Sequence, residues 1–193
     1  MAEGGKKLDQ VAEAAKQAPG RGLPPVHLWT PAHSGEIDIR IAPDGSWWHE
    51  GEKIGRERLV RLFSTILRVD PDGTYLVTPV EKLKIQVDDA PFVAVRVDRD
   101  AGEDGRPVLR FLTNVGDEVE AGPENPIRVE VNATGEPRPY VHVRRGLEAL
   151  IARAVFYELV EMAEARELPE GPVLGVESHG AWFPLGPAGA QRP

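Results

Sequence analysis

Tyr75 to Phe92 reads Y-L-V-T-P-V-E-K-L-K-I-Q-V-D-D-A-P-F. It begins as a strand, breaks at Pro79, resumes as a strand and closes on the acidic turn Asp88-Asp89 before Pro91. Proline fixes the backbone and removes an N–H donor, so a break at Pro79 fits a strand end. This stretch is read as the joint between two halves, with a domain boundary at Val80/Glu81.

Before the joint, Ile37, Ile39 and Ile41 alternate with Asp38 and Arg40, so the three isoleucines share one face of a strand. Pro43-Asp44-Gly45 turns the chain, and Ser46 to Glu50 returns as the second strand of a hairpin. Leu59, Leu62, Phe63, Ile66 and Leu67 then mark an amphipathic helix that Asp70-Pro71-Asp72-Gly73 stops. The order is strand, strand, helix, strand. After the joint, clean alternators follow around 83–87, 93–97, 108–113, 127–131 and 140–144. They describe antiparallel strands with one wet face. Leu147 to Ala165 reads as the longest helix. Its apolar surface is wider than one face, so it is expected between the halves or at a homodimer interface. A final hairpin joins Val173–Glu177 to Ala181–Leu185.

Two segments align without gaps. I-A-P-D-G-S-W-W-H-E-G (41–51) lies over V-E-S-H-G-A-W-F-P-L-G (176–186). With the repeated element order, this points to an internal duplication of 37–79 in 127–177. The predicted fold is α+β. A flexible N-terminal arm spans 1–24, in which Leu8, Val11 and Ala15 at helical spacing allow a short helix as readily as a frayed end; a small α+β domain spans 25–80 and a second α+β domain spans 81–193.

The chain has 193 residues, 41% of them hydrophobic, and a formal net charge of −8. An acidic chain is a poor match for nucleic acid or an anionic membrane surface, since both need a basic face. The absence of cysteine excludes disulfides, thiolate catalysis and Cys-based metal centres. No apolar run approaches the roughly 20 residues of a membrane span. The N-terminus carries no apolar signal core. A cytoplasmic location is expected, with neither nucleic acid nor membrane as partner.

Several segments in order resemble one uncharacterised bacterial family, domain-of-unknown-function family 1285. They include P-P-V-H-L-W (24–29), G-E-I-D-I-R-I (35–41), D-G-S-W-W-H-E-G (44–51), L-V-R-L-F-S (59–64) and D-G-T-Y-L-V-T-P-V-E-K (72–82). V-D-D-A-P-F (87–92), F-L-T-N-V-G-D (111–117) and P-Y-V-H-V-R (139–144) complete the set. The resemblance covers roughly residues 24 to 186. It implies a duplicated α+β core whose second half is a pleckstrin-homology-like half-barrel capped by a helix. It also implies a role in signalling, with room for a nucleotide-like ligand at the domain interface. It supplies no catalytic residues.

Hydrolase, P-loop, zincin and dinucleotide motifs are absent, and the five histidines show no metal-ligand spacing. No catalytic residue, metal or cofactor is therefore expected. Thr78 and Glu81 flank Pro79 and are expected to face a cleft; the competing reading is a structural kink. Asp88 and Asp89 offer paired carboxylates, although aspartate equally favours turns. Thr113 and Asn114 sit in a polar turn that can present hydroxyl and amide groups. Tyr140, His142 and Arg144 share a strand face, and Arg144 with Arg61 could bind an anion. The competing partner for Arg144 is a carboxylate such as Glu148. The leading expectation is a non-enzymatic ligand-binding or signalling module. Its ligand would be an anionic small molecule held by Arg61, Thr78, Glu81, Asp89, Thr113, Asn114, Tyr140 and Arg144. The alternatives are a hydrolase or transferase using Asp88-Asp89, and a protein-interaction domain using a strand edge.

Overall fold

The structure, a computed structural model, describes residues 2–16, 22–169 and 171–189. The chain divides into two compact units, residues 1–91 and 92–193.

In the first unit the alternating isoleucines form β1 (His33–Ile41), with Ile37, Ile39 and Ile41 buried. At the following turn, Asp44 accepts hydrogen bonds from the amide (2.9 Å) and hydroxyl (2.5 Å) of Ser46. These bonds hold the Asp44 carboxyl below the usual carboxylate range. β2 (Trp47–His49) and β3 (Glu52–Lys53) complete a meander. Helix α2 (Glu57–Thr65) buries Leu59 and Phe63, and the Phe63 ring lies 6.3 Å from that of Trp47. The helix is shorter than its apolar spacing predicts. Leu67 belongs to β4 (Leu67–Asp70), which pairs with β5 (Gly73–Val77). β6 (Glu81–Val87) then enters the middle of the sheet, antiparallel to β5 and parallel to β1. The order is β3-β2-β1-β6-β5-β4.

Two expectations need correction here. The division falls at Pro91/Phe92, not Val80/Glu81. Pro79 sits inside a tight turn in which the Thr78 Oγ1 accepts from the amides of Val80 (3.3 Å) and Glu81 (3.1 Å). The proline closes a hairpin of one sheet instead of ending a domain. Within the N-terminal arm, the helical alternative is the one found: Ala2–Lys16 is helix α1, and residues 17–21 of the arm lie outside the described residues. Leu8, Val11, Ala12 and Ala15 are buried, and the helix packs on α2. Their i, i+3, i+4, i+7 spacing makes one apolar stripe, and α2 supplies the surface that covers it.

The second unit opens with β7 (Phe92–Ala101), β8 (Pro107–Thr113) and β9 (Glu118–Glu120). β10 (Ile127–Val131), β11 (Pro137–Arg144) and β12 (Leu147–Ile151) follow. The sheet order is β10-β11-β12-β7-β8-β9, and this sheet is a curled half-barrel. Helix α3 (Arg153–Met162) leads to a three-stranded sheet of β13 (Glu164–Leu168), β14 (Gly171–Ser178) and β15 (Ala181–Pro187). The hydroxyl of Ser178 is completely buried. It accepts from the Leu109 amide (2.9 Å) and donates to the Ala121 carbonyl (2.6 Å), tying this small sheet to the half-barrel.

The single long helix expected over 147–165 is thus a strand, a helix and a second strand. Leu147, Ala149 and Ile151 are buried and alternate with Glu148 and Leu150, so the same residues satisfy a period of two as well as 3.6. Local backbone geometry decides between them. Arg145 (φ 47°) and Gly146 (φ 78°) form a two-residue turn of the hairpin type, which folds β12 back onto β11.

The α+β class with two tandem units stands, and both units contain the strand–strand–helix–strand order. The repeat in sheet topology, however, has other bounds. Adding six to each strand number of the first sheet gives the order of the second. Each sheet is two three-stranded meanders joined by parallel pairing of its first and last strands, β1 with β6 and β7 with β12. Residues 33–87 therefore correspond to 92–151. In 127–177 the strands after the helix leave for a separate sheet. The gapless match of 41–51 with 176–186 also joins unlike turns. Gly45 lies in the five-residue connection 42–46, whereas Gly180 lies in a two-residue turn.

Candidate functional site

The expected site draws four residues from each unit. In the first unit, Arg61 is exposed on α2 and Asp89 is half-buried after β6. Thr78 is fully buried and its hydroxyl serves the turn to Glu81, to whose carbonyl it also donates at 3.3 Å. Asp88 lies 3.6 Å from Arg40 and accepts from the Gln86 side-chain Nε2 at 2.7 Å, so this carboxylate of the acidic pair is engaged in the sheet.

In the second unit, Thr113 and Asn114 do come close to Arg144, through the turn they share with Asp117. Thr113 is buried and its hydroxyl accepts from the Asp117 amide (2.9 Å); the Asn114 side chain accepts from the Val93 amide (2.9 Å). Arg144 donates to Asp117 at 2.5 Å and stacks 4.9 Å from the Phe92 ring. Its side chain is 13% exposed. The guanidinium is thus compensated by Asp117. Glu148 instead takes a two-point contact from Arg128 (2.7 and 2.5 Å). That contact raises the Arg128 guanidinium above its usual range. Arg128 also stacks 4.2 Å from the buried Tyr140 ring, so Tyr140 belongs to this second ion pair.

A different place in the second unit has the shape of a binding site. A cavity of about 200 Å³ lies between the half-barrel and the three-stranded sheet. Leu109 from β8, Val176 from β14 and Met162 at the end of α3 lie along it, and its accessible lining is more polar than apolar. The Trp182 ring forms a further wall. It rests on Gly175, where a Cβ would lie 2.3 Å from the indole Cε2 and Cζ2 atoms. Only glycine permits that approach. The indole Nε1 is buried without a hydrogen-bond partner, so Trp182 is placed for its ring surface and not for its donor. Arg166 stacks 5.1 Å above that ring and is paired with Glu177 at 2.9 Å. Arg99 from β7 and Glu164 from β13 complete the charged rim, and both are exposed.

None of these cavity residues stands out in the sequence as a site. The available signals were slight: Gly175 inside an apolar strand, which marks close approach of another group, and Trp182 two residues past a turn. Glu164 and Ala165 were expected to end the long helix and 166–168 were given no element, so the strand that carries Glu164 and Arg166 was missed. Among the described residues, no group of three or more His, Asp or Glu could hold a metal ion, and no helix is long and apolar enough to cross a membrane.

Two tandem six-stranded sheets with few helices and a curled second sheet define a mixed α+β protein of two units. The chain belongs to the DUF1285 family. Residues 24–90 match the N-terminal domain described as a domain of unknown function, and residues 91–185 match the C-terminal domain of this protein of unknown function. A DUF1285 family protein from Silicibacter pomeroyi DSS-3, whose crystal structure was solved at 2.50 Å, is 49% identical. The match covers 92% of this chain and 95% of that one, with a TM-score of 0.82. A second DUF1285 family protein, from Shewanella baltica OS155, is 25% identical over 64% of this chain and 90% of its own, with a TM-score of 0.49. No curated protein matches.

Proposed function

We propose that this protein is a non-enzymatic ligand-binding module of the kind that serves signalling, and that its ligand occupies the cavity of the second unit. The observation that carries this reading is the cavity's construction. It is a concave site with an aromatic wall and several charged groups converging on it. A glycine kept clear for an aromatic ring argues that the wall is shaped and not incidental.

The volume bears on the ligand. About 200 Å³ lies below the roughly 300–1,000 Å³ of pockets for drug-sized ligands. A whole nucleotide is therefore a poor fit, and a smaller metabolite is favoured. The anion site built on Arg144 is the less favoured location, because a ligand there would have to displace Asp117 from its guanidinium. A hydrolase or transferase using Asp88-Asp89 is also disfavoured, since Asp88 is held by Arg40 and Gln86.

A thermal-shift screen of small metabolites tests the reading, because a specific ligand raises Tm by mass action. At least one compound should raise the Tm of the wild type but not that of Met162→Trp, in which the larger side chain fills the cavity. Shifts that persist unchanged in Met162→Trp, or no shift from any compound, would overturn it.

A further inference from the structure

We propose that the outer edge of β13 is an interaction surface, and that it takes the same strand of a second copy of this chain. The inference does not depend on the cavity's binding a ligand. It starts from an open sheet edge. Of the other edge strands, β3 has two residues and β9 has three. β4 is covered by the chain entry, where the carbonyls of Val26 and Trp29 accept from Arg68. β10 and β15 pack against each other. β13 pairs with β14 on one side, and among the described residues no strand pairs with its other side. All five of its residues are exposed. A row of unpaired backbone N–H and C=O groups is a template for another strand.

The order of charges names the occupant. β13 reads E-A-R-E-L (164–168). Two antiparallel copies of one strand, related by a two-fold axis, meet at a residue that faces its own copy. Centring on Arg166 sets guanidinium against guanidinium, and centring on Glu164 or Glu167 sets carboxylate against carboxylate. Like charges directly opposite are destabilising. Centring on Ala165 puts Glu164 opposite Arg166 of the second copy, and Arg166 opposite its Glu164. The overlap then runs over 163–167, since Ala163 already has extended backbone (φ −74°, ψ 146°). Glu164 makes no side-chain hydrogen bond or ion pair with another described residue, so the pairing supplies its partner. Arg166 can keep Glu177, at 2.9 Å, because a guanidinium carries five donors. Directly opposed residues point to one face of a sheet, and Glu164 and Arg166 both line the cavity. The second copy therefore adds a guanidinium to the cavity's rim. So short a pairing falls below the ~1,000 Å² of a lasting interface. The dimer is accordingly weak, concentration-dependent and sensitive to salt.

Sedimentation equilibrium of the full chain tests this. The wild type should rise from monomer toward dimer as its concentration approaches the millimolar range. Glu164→Arg turns both attractions into repulsions and should weaken the dimer by about tenfold or more. Its Tm should stay that of the wild type, because Glu164 is exposed and unpaired. Arg166→Glu should weaken the dimer in the same way. Mixing the two variants should restore it as a heterodimer, since two cations then oppose two anions; a folding defect could not produce that recovery. A wild type that stays monomeric at every concentration would overturn the proposal and leave the edge to an extended segment of another protein. A dimer undiminished in Glu164→Arg would overturn it too, by placing the interface elsewhere, and this variant decides alone if Arg166→Glu does not fold. No recovery on mixing two folded variants would overturn the register.

Discussion

Asp70 carries more of the first unit than its place at the end of β4 suggests. It accepts two hydrogen bonds from Arg68 (2.8 and 3.0 Å) and lies 2.5 Å from Lys82 on β6. The same Arg68 donates to the carbonyls of Val26 and Trp29, so one guanidinium ties the chain entry to the sheet. Hydrogen bonding from Arg68 lowers the Asp70 pKa, against the opposing effect of burial. A depressed carboxylate contributes stability that is complete above its unfolded value and is lost as pH falls through the folded one. Asp70→Asn should therefore cost about 1–3 kcal/mol at neutral pH, and the gap from wild type should close below about pH 4. Urea unfolding at pH 7 and pH 3 measures both, and an equal gap at the two values would refute the assignment. Ser178 makes a parallel case without charge. Ser178→Ala leaves the Leu109 amide buried and unsatisfied, at a cost of about 1–3 kcal/mol. Neither residue announces its role in the sequence. Arg68 and Asp70 read as a helix end, and Ser178 as an ordinary turn residue, because their partners lie far along the chain.

At the scale of elements, strands with strict alternation were legible and segments that satisfy two periods were not. Ile37–Ile41 admits one reading only, whereas Val93–Val97 was legible as a strand but not by face: a bulge between Ala94 and Arg96 buries Ala94 and Val97 and leaves Val95 exposed. Leu147–Leu168 admits several, because Leu147, Leu150, Ile151 and Ala154 also fit a helical stripe. The strand β13 is built from Glu, Ala, Arg and Leu, which favour helix. Its pairing with β14 overrides that preference. The cavity was illegible for the same reason, since it exists only where this small sheet faces β7 and β8. Two measurements follow. Leu159 is fully buried on α3, so Leu159→Ala should cost about 2–5 kcal/mol. Leu150, half-buried between two inward-facing residues of β12, should cost less; the reverse order would place the helix outside the core. Gly175→Ala puts a methyl group against the indole and should cost about 1–3 kcal/mol, as overpacking does. It should also shift Trp182 fluorescence, and an unchanged spectrum would mean that the ring does not rest on Gly175.

For the molecule as a whole, the location of the joint is the informative quantity. The break at Pro79 looks like a domain boundary from the sequence, because proline and an ion-pair-rich segment follow a strand. In the structure β6 comes after that proline and is the strand on which both halves of the first sheet depend, between β1 and β5. Removing it strands β4 and β5 from the meander of β1 to β3. It also takes Leu83 and Ile85, which are 4% and 7% exposed in the fold, out of the core. A central strand lost from a small sheet leaves two open edges and a divided core, and the pair β4–β5 falls short of the three strands that independent stability needs. Two fragments separate the boundaries. Residues 1–91 should give a cooperative thermal transition and a dispersed NMR spectrum. Residues 1–80, shorter by a single strand, should be unfolded or aggregate. Cooperative folding of both fragments would return the boundary to Pro79. Folding of 1–91 alone would establish that the repeated element is the whole six-stranded sheet, closed by the parallel pairing of its first and last strands.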